Sequence, residues 1–273
     1  MTSVRIVATD LDGTLLDSTG AVSTRNRRAL DRARAAGAEV VFVTARPPRG
    51  LDVIAAAAGA DGLAICSNGA VVYDLARREV VATHALAAEV SRKLAQAIAE
   101  ALPGVVFAVE TGHGVLVEPG YGRCHLHDER FCTKVESVFD VDVPFAKLMA
   151  WSRELAADEM LAVAHAAAPG LAEITHSGVE GLLEISATGV TKAGSLAMLC
   201  QDRGVEPDEV VAFGDMPNDV PMLAFAGRGY AMANAHPLVL EAARFTTLSN
   251  DEDGVAAILE ELFPNADMSE KVG

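Results

Sequence analysis

Val4-Arg-Ile-Val-Ala-Thr-Asp-Leu-Asp-Gly-Thr-Leu-Leu16 is the stretch that decides the fold. Residues 4–9 form a short β-rich run that ends directly in an acidic, glycine-containing loop, as a buried strand does when it enters a site loop. After Ser23, an N-cap residue, 24–36 is rich in Arg, Ala and Leu and stops at Gly37, which predicts a helix. A second strand, 39–43, runs into Thr44-Ala45-Arg46-Pro47-Pro48, and the two prolines predict a helix opening there and carrying through the alanines to Gly59. A third strand, about 62–66, ends at Ser67-Asn68-Gly69, followed by β-rich runs at 70–74 and 79–83. The alternation implies right-handed crossovers and a mainly parallel sheet, an α/β core of Rossmann-like type.

From about His84 the grammar changes. A helical run at 86–102 precedes β-like pieces at 104–109 and 114–118. Further pieces at 145–151 and 171–176 flank a helix at about 154–168, and a last one lies at 181–186. This block predicts an α+β insert with its own antiparallel sheet. Core alternation resumes at Thr191, with a helix at 192–203, a strand at 209–213, a helix near 217–225, a strand near 229–232 and a terminal helix at 254–262. The expected division is a discontinuous core, 1–83 and 187–273, interrupted by a domain at 84–186.

A chain of 273 residues that is 51% hydrophobic can bury a large core, which excludes a disordered or fibrous class. The net charge of −16, without a cluster of Lys and Arg, argues against a nucleic-acid partner, while a small anion can still be held locally. Residues 1–30 lack the features of a secretory signal, and the apolar stretches 53–60 and 94–102 are too short to cross a bilayer. The expectation is a cytoplasmic protein without a membrane partner, monomeric or homodimeric. Four scattered cysteines predict free thiols. Cys124, His125, His127 and Cys132 could supply zinc ligands, but their spacing fits no common zinc motif, and ordinary surface or substrate-facing residues are the alternative.

Four loops, each following a predicted core strand, carry the polar groups, and in an open parallel sheet such loops converge on one crevice. In an extended segment Asp10 and Asp12 point the same way while Leu11 packs inward. Asp10 at the strand tip is placed to attack phosphorus, and Asp12 to protonate the leaving oxygen and later deprotonate water. Thr44 offers a hydroxyl and nearby amides for a phosphoryl oxygen. Asn68 reads equally as a turn residue or a substrate contact. Lys192 can neutralise charge on the nucleophile and the transferred group. Gly214-Asp215-Met216-Pro217-Asn218-Asp219 supplies hard oxygen ligands of the kind Mg²⁺ takes, Asp215 directly and Asp219 directly or through water, with Asp10 and the Asp12 carbonyl nearby. Each loop alone reads as an acidic turn or a helix cap; their common order at strand ends makes the combination specific.

These motifs resemble the haloacid dehalogenase superfamily of phosphohydrolases, through DLDGTLL at 10–16, Thr44 in VFVTARP, Lys192 in GVTKAGSL and GDMPND at 214–219. The tail, Met232-Ala233-Asn234-Ala235 and Asn250 to Ala256, is similar to the end of the Cof-like branch. The resemblance implies a large α/β cap between the second and third motifs, where 84–186 lies. It also implies Asp10 as nucleophile, Asp12 as acid/base, Thr44 and Lys192 as phosphate-binding groups, Asp215 and Asp219 as magnesium groups, and Asn218 as a positioning group. Ala45 stands where the branch usually has glycine, and Pro217 and Pro221 stiffen the metal loop, which touches rate and substrate fit more than chemistry.

The reading is therefore a Mg²⁺-dependent phosphohydrolase acting on a small phosphorylated metabolite, a sugar phosphate by preference. A phosphomutase or phosphotransferase of the same superfamily is the near alternative, and a silent phosphometabolite-binding protein the distant one. His113, Arg123, His125, His127 and Glu180 are the polar residues of the insert to inspect, and Glu184, where the chain returns to the core, is the best single candidate for substrate contact.

Overall fold

The computed structural model describes residues 3–123 and 129–264. β1 (Ile6–Thr9) is buried along its whole length, paired in parallel with β2 (Glu39–Val43) on one side and β12 (Val210–Gly214) on the other. Such a strand has no solvent face, which is why 6–9 is continuously apolar until Thr9. The full sheet runs β14-β13-β12-β1-β2-β3-β4-β5, adding β3 (Leu63–Cys66), β4 (Val71–Asp74), β5 (Glu79–Thr83), β13 (Arg228–Ala231) and β14 (Phe245–Thr246). Its first six strands are parallel, and β4 and β5 close one edge as antiparallel additions.

Helices cover both faces. Val7 and Phe42 pack with Leu30, Leu51 and Leu259 from α1 (Thr24–Ala35), α2 (Leu51–Ala58) and α8 (Gly254–Leu262). Ile6, Ala8 and Val41 pack with Leu196, Met222 and Val239 from α5 (Lys192–Arg203), α6 (Val220–Phe225) and α7 (Pro237–Ala242). α2 begins at Leu51, not at the prolines: the residue before a proline is pushed out of helical conformation, and the chain turns until left-handed Gly50 (φ 86°). The stretch near 217–225 is likewise divided, a 3₁₀ turn at Pro217–Asp219 feeding α6.

The second sheet, β10-β11-β9-β6-β7-β8, comprises β6 (Val106–Glu110), β7 (Val115–Val117), β8 (Cys132–Lys134), β9 (Lys147–Trp151), β10 (Glu173–Thr175) and β11 (Leu182–Ser186). It is antiparallel except for β7 and β8, which pair in parallel. α3 (Ala88–Ala101) and α4 (Ala157–Ala167) cover one face, packing Leu94, Ile98 and Met160 on Leu148, Leu183 and Ile185. By the two-residue period of a strand, Glu110, Lys147, Met149, Leu182 and Glu184 belong to the other face, and they border the cleft that contains Asp10. Cys124, His125 and His127 lie outside the described residues. No described helix is long and apolar enough to cross a membrane.

Candidate active site

β1, β2 and β12 end at one edge of the parallel sheet, and their loops deliver Asp10, Thr44 and Asp215 to one place. The Asp10 amide donates to the Phe213 carbonyl at 3.0 Å, tying the first loop to β12. After Asp10 the backbone leaves the extended form: Gly13 takes φ 71°, and a Cβ there would collide with the Asp215 carboxylate. The turn lets Thr14 reach Asp215, its hydroxyl donating to Oδ1 at 2.7 Å. Asn234 Nδ2 donates to the Gly13 carbonyl at 2.8 Å, which gives the 232–235 tail motif a structural task.

Lys192 opens α5, whose cap is Thr191: the hydroxyl accepts from the Gly194 amide at 2.9 Å, worth about 1 kcal/mol in comparable caps. The lysine is buried, with Nζ 2.9 Å from Asp10 Oδ1 and 2.7 Å from Asp219 Oδ1. Asp219 Oδ2 accepts from the amides of Asp215 and Met216 at 3.1 and 3.0 Å, closing the loop on itself. This closure requires Gly214, since a Cβ there would stand 2.5 Å from the Asp219 Cβ and Cγ.

Carboxylate oxygens of Asp10, Asp215 and Asp219 lie within 4.8 Å of one another, all three buried. Burial pushes the Asp10 carboxyl well up, Lys192 opposes this, and Asp219 and Asp215 add to it. Asp215 is pushed up to about 7 by burial and by Asp219, against the hydrogen bond from Thr14. Burial disfavours the Lys192 charge, but Asp10 and Asp219 outweigh it and raise the ammonium pKa. With Lys192 protonated and all three acids ionised the cluster carries −2, the charge a divalent cation cancels. The donor set, hard carboxylate oxygens only, fits such an ion.

Asp12 stands apart from this cluster. Its side chain is 58% exposed and accepts two hydrogen bonds from Arg46, Nε to Oδ2 at 2.7 Å and Nη2 to Oδ1 at 2.6 Å. Asp12 is itself extended (φ −69°, ψ 125°), and it lines the same cleft as Asp10, although of the two only Asp10 joins the buried acidic cluster. Thr44 is buried, its Oγ1 accepting from the Arg46 amide at 3.0 Å, and both Thr44 and Ala45 line the cleft. Asn68 sits at left-handed φ 58°, buried, its Oδ1 accepting from Asn218 Nδ2 at 3.0 Å. That bond joins the third loop to the loop at 214–219.

Glu184 is buried in the cleft wall and paired with Lys147, whose Nζ also donates to the Ala45 carbonyl at 2.9 Å. Burial raises the Glu184 carboxyl, yet Lys147 wins and holds it below the usual range. Of the other polar residues of the insert, His113 borders a separate cleft, and Arg123 donates to the Glu180 carbonyl at 2.6 Å. Among the cleft residues missed from sequence are Arg49, Glu110 and Lys147. Arg49 holds Glu110 through two hydrogen bonds, Nη1 to Oε1 at 2.8 Å and Nη2 to Oε2. The available signal was a charge at the end of an apolar strand, VVFAVE and KLMAW, since buried charges are rare unless paired.

A family model described as haloacid dehalogenase-like hydrolase matches residues 7–259. The 5-amino-6-(5-phospho-D-ribitylamino)uracil phosphatase YwtE of Bacillus subtilis is 30% identical over 290 residues, covering 95% of this chain and 98% of its own. The pyridoxal phosphate phosphatase YbhA of Escherichia coli is 27% identical, covering 94% and 98%. A solved haloacid dehalogenase-like hydrolase from B. subtilis superposes with a TM-score of 0.79 at 27% identity, over 95% of this chain and 100% of the other. The chain belongs to the haloacid dehalogenase-like hydrolases and is a phosphatase of that family.

Proposed function

We propose that this phosphatase hydrolyses a small phosphorylated metabolite with Mg²⁺, through an aspartyl-phosphate on Asp10. The observation that carries the reading is Lys192, buried between Asp10 and Asp219 at 2.9 and 2.7 Å within a cluster of three acids. Asp10 Oδ1 is the group held by Lys192, which leaves Oδ2 to attack phosphorus as the ester bond breaks. Asp12 gives a proton to the leaving oxygen and takes one from the water that later cleaves the aspartyl-phosphate. Its pairing with Arg46 keeps it at the cleft rim until substrate draws it in. Thr44 and Asn218 orient the phosphoryl oxygens, and Lys192 offsets their charge. Asp10 and Asp215, a backbone oxygen of Asp12, and Asp219 directly or through water would hold Mg²⁺, which would supply charge neutralisation at the transferred group.

In this reading residues 84–186 form the cap, and 1–83 with 187–273 the core. Glu184 and Ala45 face the leaving group. A sugar phosphate is the class expected from sequence, and the two curated relatives act, by name, on phosphate esters that carry rings.

Phosphate release from a panel of metabolite esters, with Mg²⁺ and with EDTA, tests the reading. Release should require the metal and vanish in Asp10→Asn. Acid quenching during turnover of a ³²P-labelled ester should trap label on the protein. Full activity in Asp10→Asn would sink the covalent mechanism.

A further inference from the structure

Ser67, Asn68 and Gly69, at the end of β3, take three consecutive left-handed conformations, with φ of 51°, 58° and 104°. Asparagine tolerates this region and serine rarely enters it, so the turn is strained, and such strain persists only where the surroundings over-determine it. The surroundings here are the start of α5. The Ser195 hydroxyl donates to the Gly69 carbonyl at 2.9 Å, and a Cβ on Gly69 would stand 2.4 Å from the Thr191 carbonyl oxygen. Asn68 is thereby fixed behind the cleft, 3% exposed, and it is not among the described residues that line it.

From there Asn68 faces both sheets. Its Oδ1 accepts from Asn218 Nδ2, on the 214–219 loop, at 3.0 Å. Its Nδ2 is buried, as is Glu184 Oε2 on β11, and neither atom is aligned with any other group. Burial raises the Glu184 carboxyl, but Lys147, then Ser177 and Asn68 as neighbouring donors, hold it below the usual range. An ionised carboxylate only accepts, so the end of Asn68 that it meets is the N–H₂ end. With Nδ2 turned to Glu184, Asn68 offers Asn218 only its Oδ1, and Asn218 answers with its own Nδ2. One charge on the second sheet thus dictates the orientation of two amides in the first. The second N–H of Asn218 is left for a phosphoryl oxygen. Lys147, the partner of Glu184, donates to the Ala45 carbonyl at 2.9 Å, so the same pair also bears on the loop of Thr44.

We propose that Glu184 and Asn68 are positioning residues for the reaction: the Glu184 carboxylate orients Asn68, Asn68 orients Asn218, and the seating of the second sheet is thereby felt in the loop that carries Asp215 and Asp219. This inference rests on the reading of Asp10 as the phosphatase centre. A neutral side chain at 184 leaves both amides able to turn over, and an Asn218 turned over points its oxygen at an anion.

The test is kcat and KM of the full chain with Mg²⁺ on p-nitrophenyl phosphate and glucose 6-phosphate. Asn68→Gly suits φ 58° and leaves the buried ion pair intact. It should lower kcat about 10- to 100-fold on both esters alike, the scale of a misplaced reacting group, with KM within about threefold. Glu184→Gln and Asn68→Asp should each lower kcat by a similar factor. The double variant Glu184→Gln/Asn68→Asp reverses donor and acceptor and keeps one negative charge, so it should recover kcat to within about fivefold of wild type. Hydrogen–deuterium exchange reads the same link without turnover: the peptide spanning 214–219 should exchange faster in Glu184→Gln, although residue 184 lies on the other sheet. The inference is overturned if Asn68→Gly moves KM and not kcat, if the double variant is no better than the worse single one, or if exchange at 214–219 is unchanged. Wild-type release of phosphate with variants equal to wild type overturns the inference alone. No release from either ester by the wild-type chain overturns the phosphatase reading, and the inference falls with it.

Discussion

Metal binding to the acidic cluster should release protons, and its strength should fall steeply as the pH is lowered. Asp215 titrates near 7 in the metal-free fold because it is buried beside Asp219. The rise from the ordinary 3.8 corresponds to on the order of 4 kcal/mol against the charged form. The unfolded chain ionises this group near 3.8, so between 3.8 and 7 the folded, metal-free chain holds the extra proton. Its contribution to stability is present in full below the unfolded value and is lost as pH rises through about 7, so EDTA-treated protein should lose stability from this group between pH 4 and 8. A divalent cation acts oppositely, since it needs the carboxylates ionised. With a pKa of about 7, roughly 3% of Asp215 is ionised at pH 5.5 and roughly 90% at pH 8. The Mg²⁺ Kd should therefore weaken about 30-fold from pH 8 to 5.5, and more if the raised Asp10 carboxyl takes part. Isothermal titration calorimetry in two buffers of different ionisation enthalpy reads both the Kd and the proton count. A pH-independent Kd with no proton released at pH 6 would refute the reasoning, because it would mean the cluster is not where the metal sits.

Asp12→Asn should lower kcat by roughly 10²–10⁴-fold while leaving Mg²⁺ affinity within about threefold, since the Asp12 carboxylate pairs with Arg46 and not with the acidic cluster. Steady-state kinetics and calorimetry on one preparation separate the two effects. Gly13→Ala forces an L side chain into φ 71° against Asp215, a conformational cost of about 1–2 kcal/mol before any collision. It should weaken Mg²⁺ binding at least tenfold, and wild-type affinity in that variant would contradict the packing argument. Arg49→Met and Glu110→Leu should each destabilise by about 3–5 kcal/mol, and the double variant should recover most of that loss. Urea unfolding of the four proteins completes the cycle.

The parallel core was legible because its strands are buried on both faces: 6–9, 39–43 and 210–214 are nearly continuous apolar runs, and their ends locate the loops. Helix α5 was legible to the residue because Thr191 caps it and Gly204 ends it at φ 58°. The path of the chain inside a loop was not legible. Gly13 turns left-handed with Asp215 standing where a Cβ would be, and the Thr14–Asp215 hydrogen bond beside it spans 201 positions, which local alternation does not record. The prolines at 47 and 48 misled for the opposite reason, being local signals overridden by the turn that carries Arg46 and Arg49 to the cleft. The pairs Arg49–Glu110 and Lys147–Glu184 each join segments more than 30 positions apart: the first needs the second sheet to approach the first, and the second needs β9 and β11 to pair within the second sheet.

The same pairs resolve how a chain of net charge −16 serves an anionic ester. Global charge repels polyanions over distances set by screening, about 8–10 Å in ordinary salt, but a single phosphoryl group inside the cleft responds to what lies within a few ångströms. There Lys192 stands amid three acids at a formal −2, which a divalent cation brings to neutrality. Nearer the rim, Arg46, Arg49 and Lys147 are paired with Asp12, Glu110 and Glu184. Arg49 and Lys147 are thereby committed to buried carboxylates, which leaves Lys192 as the deep cation that an entering phosphoryl group meets.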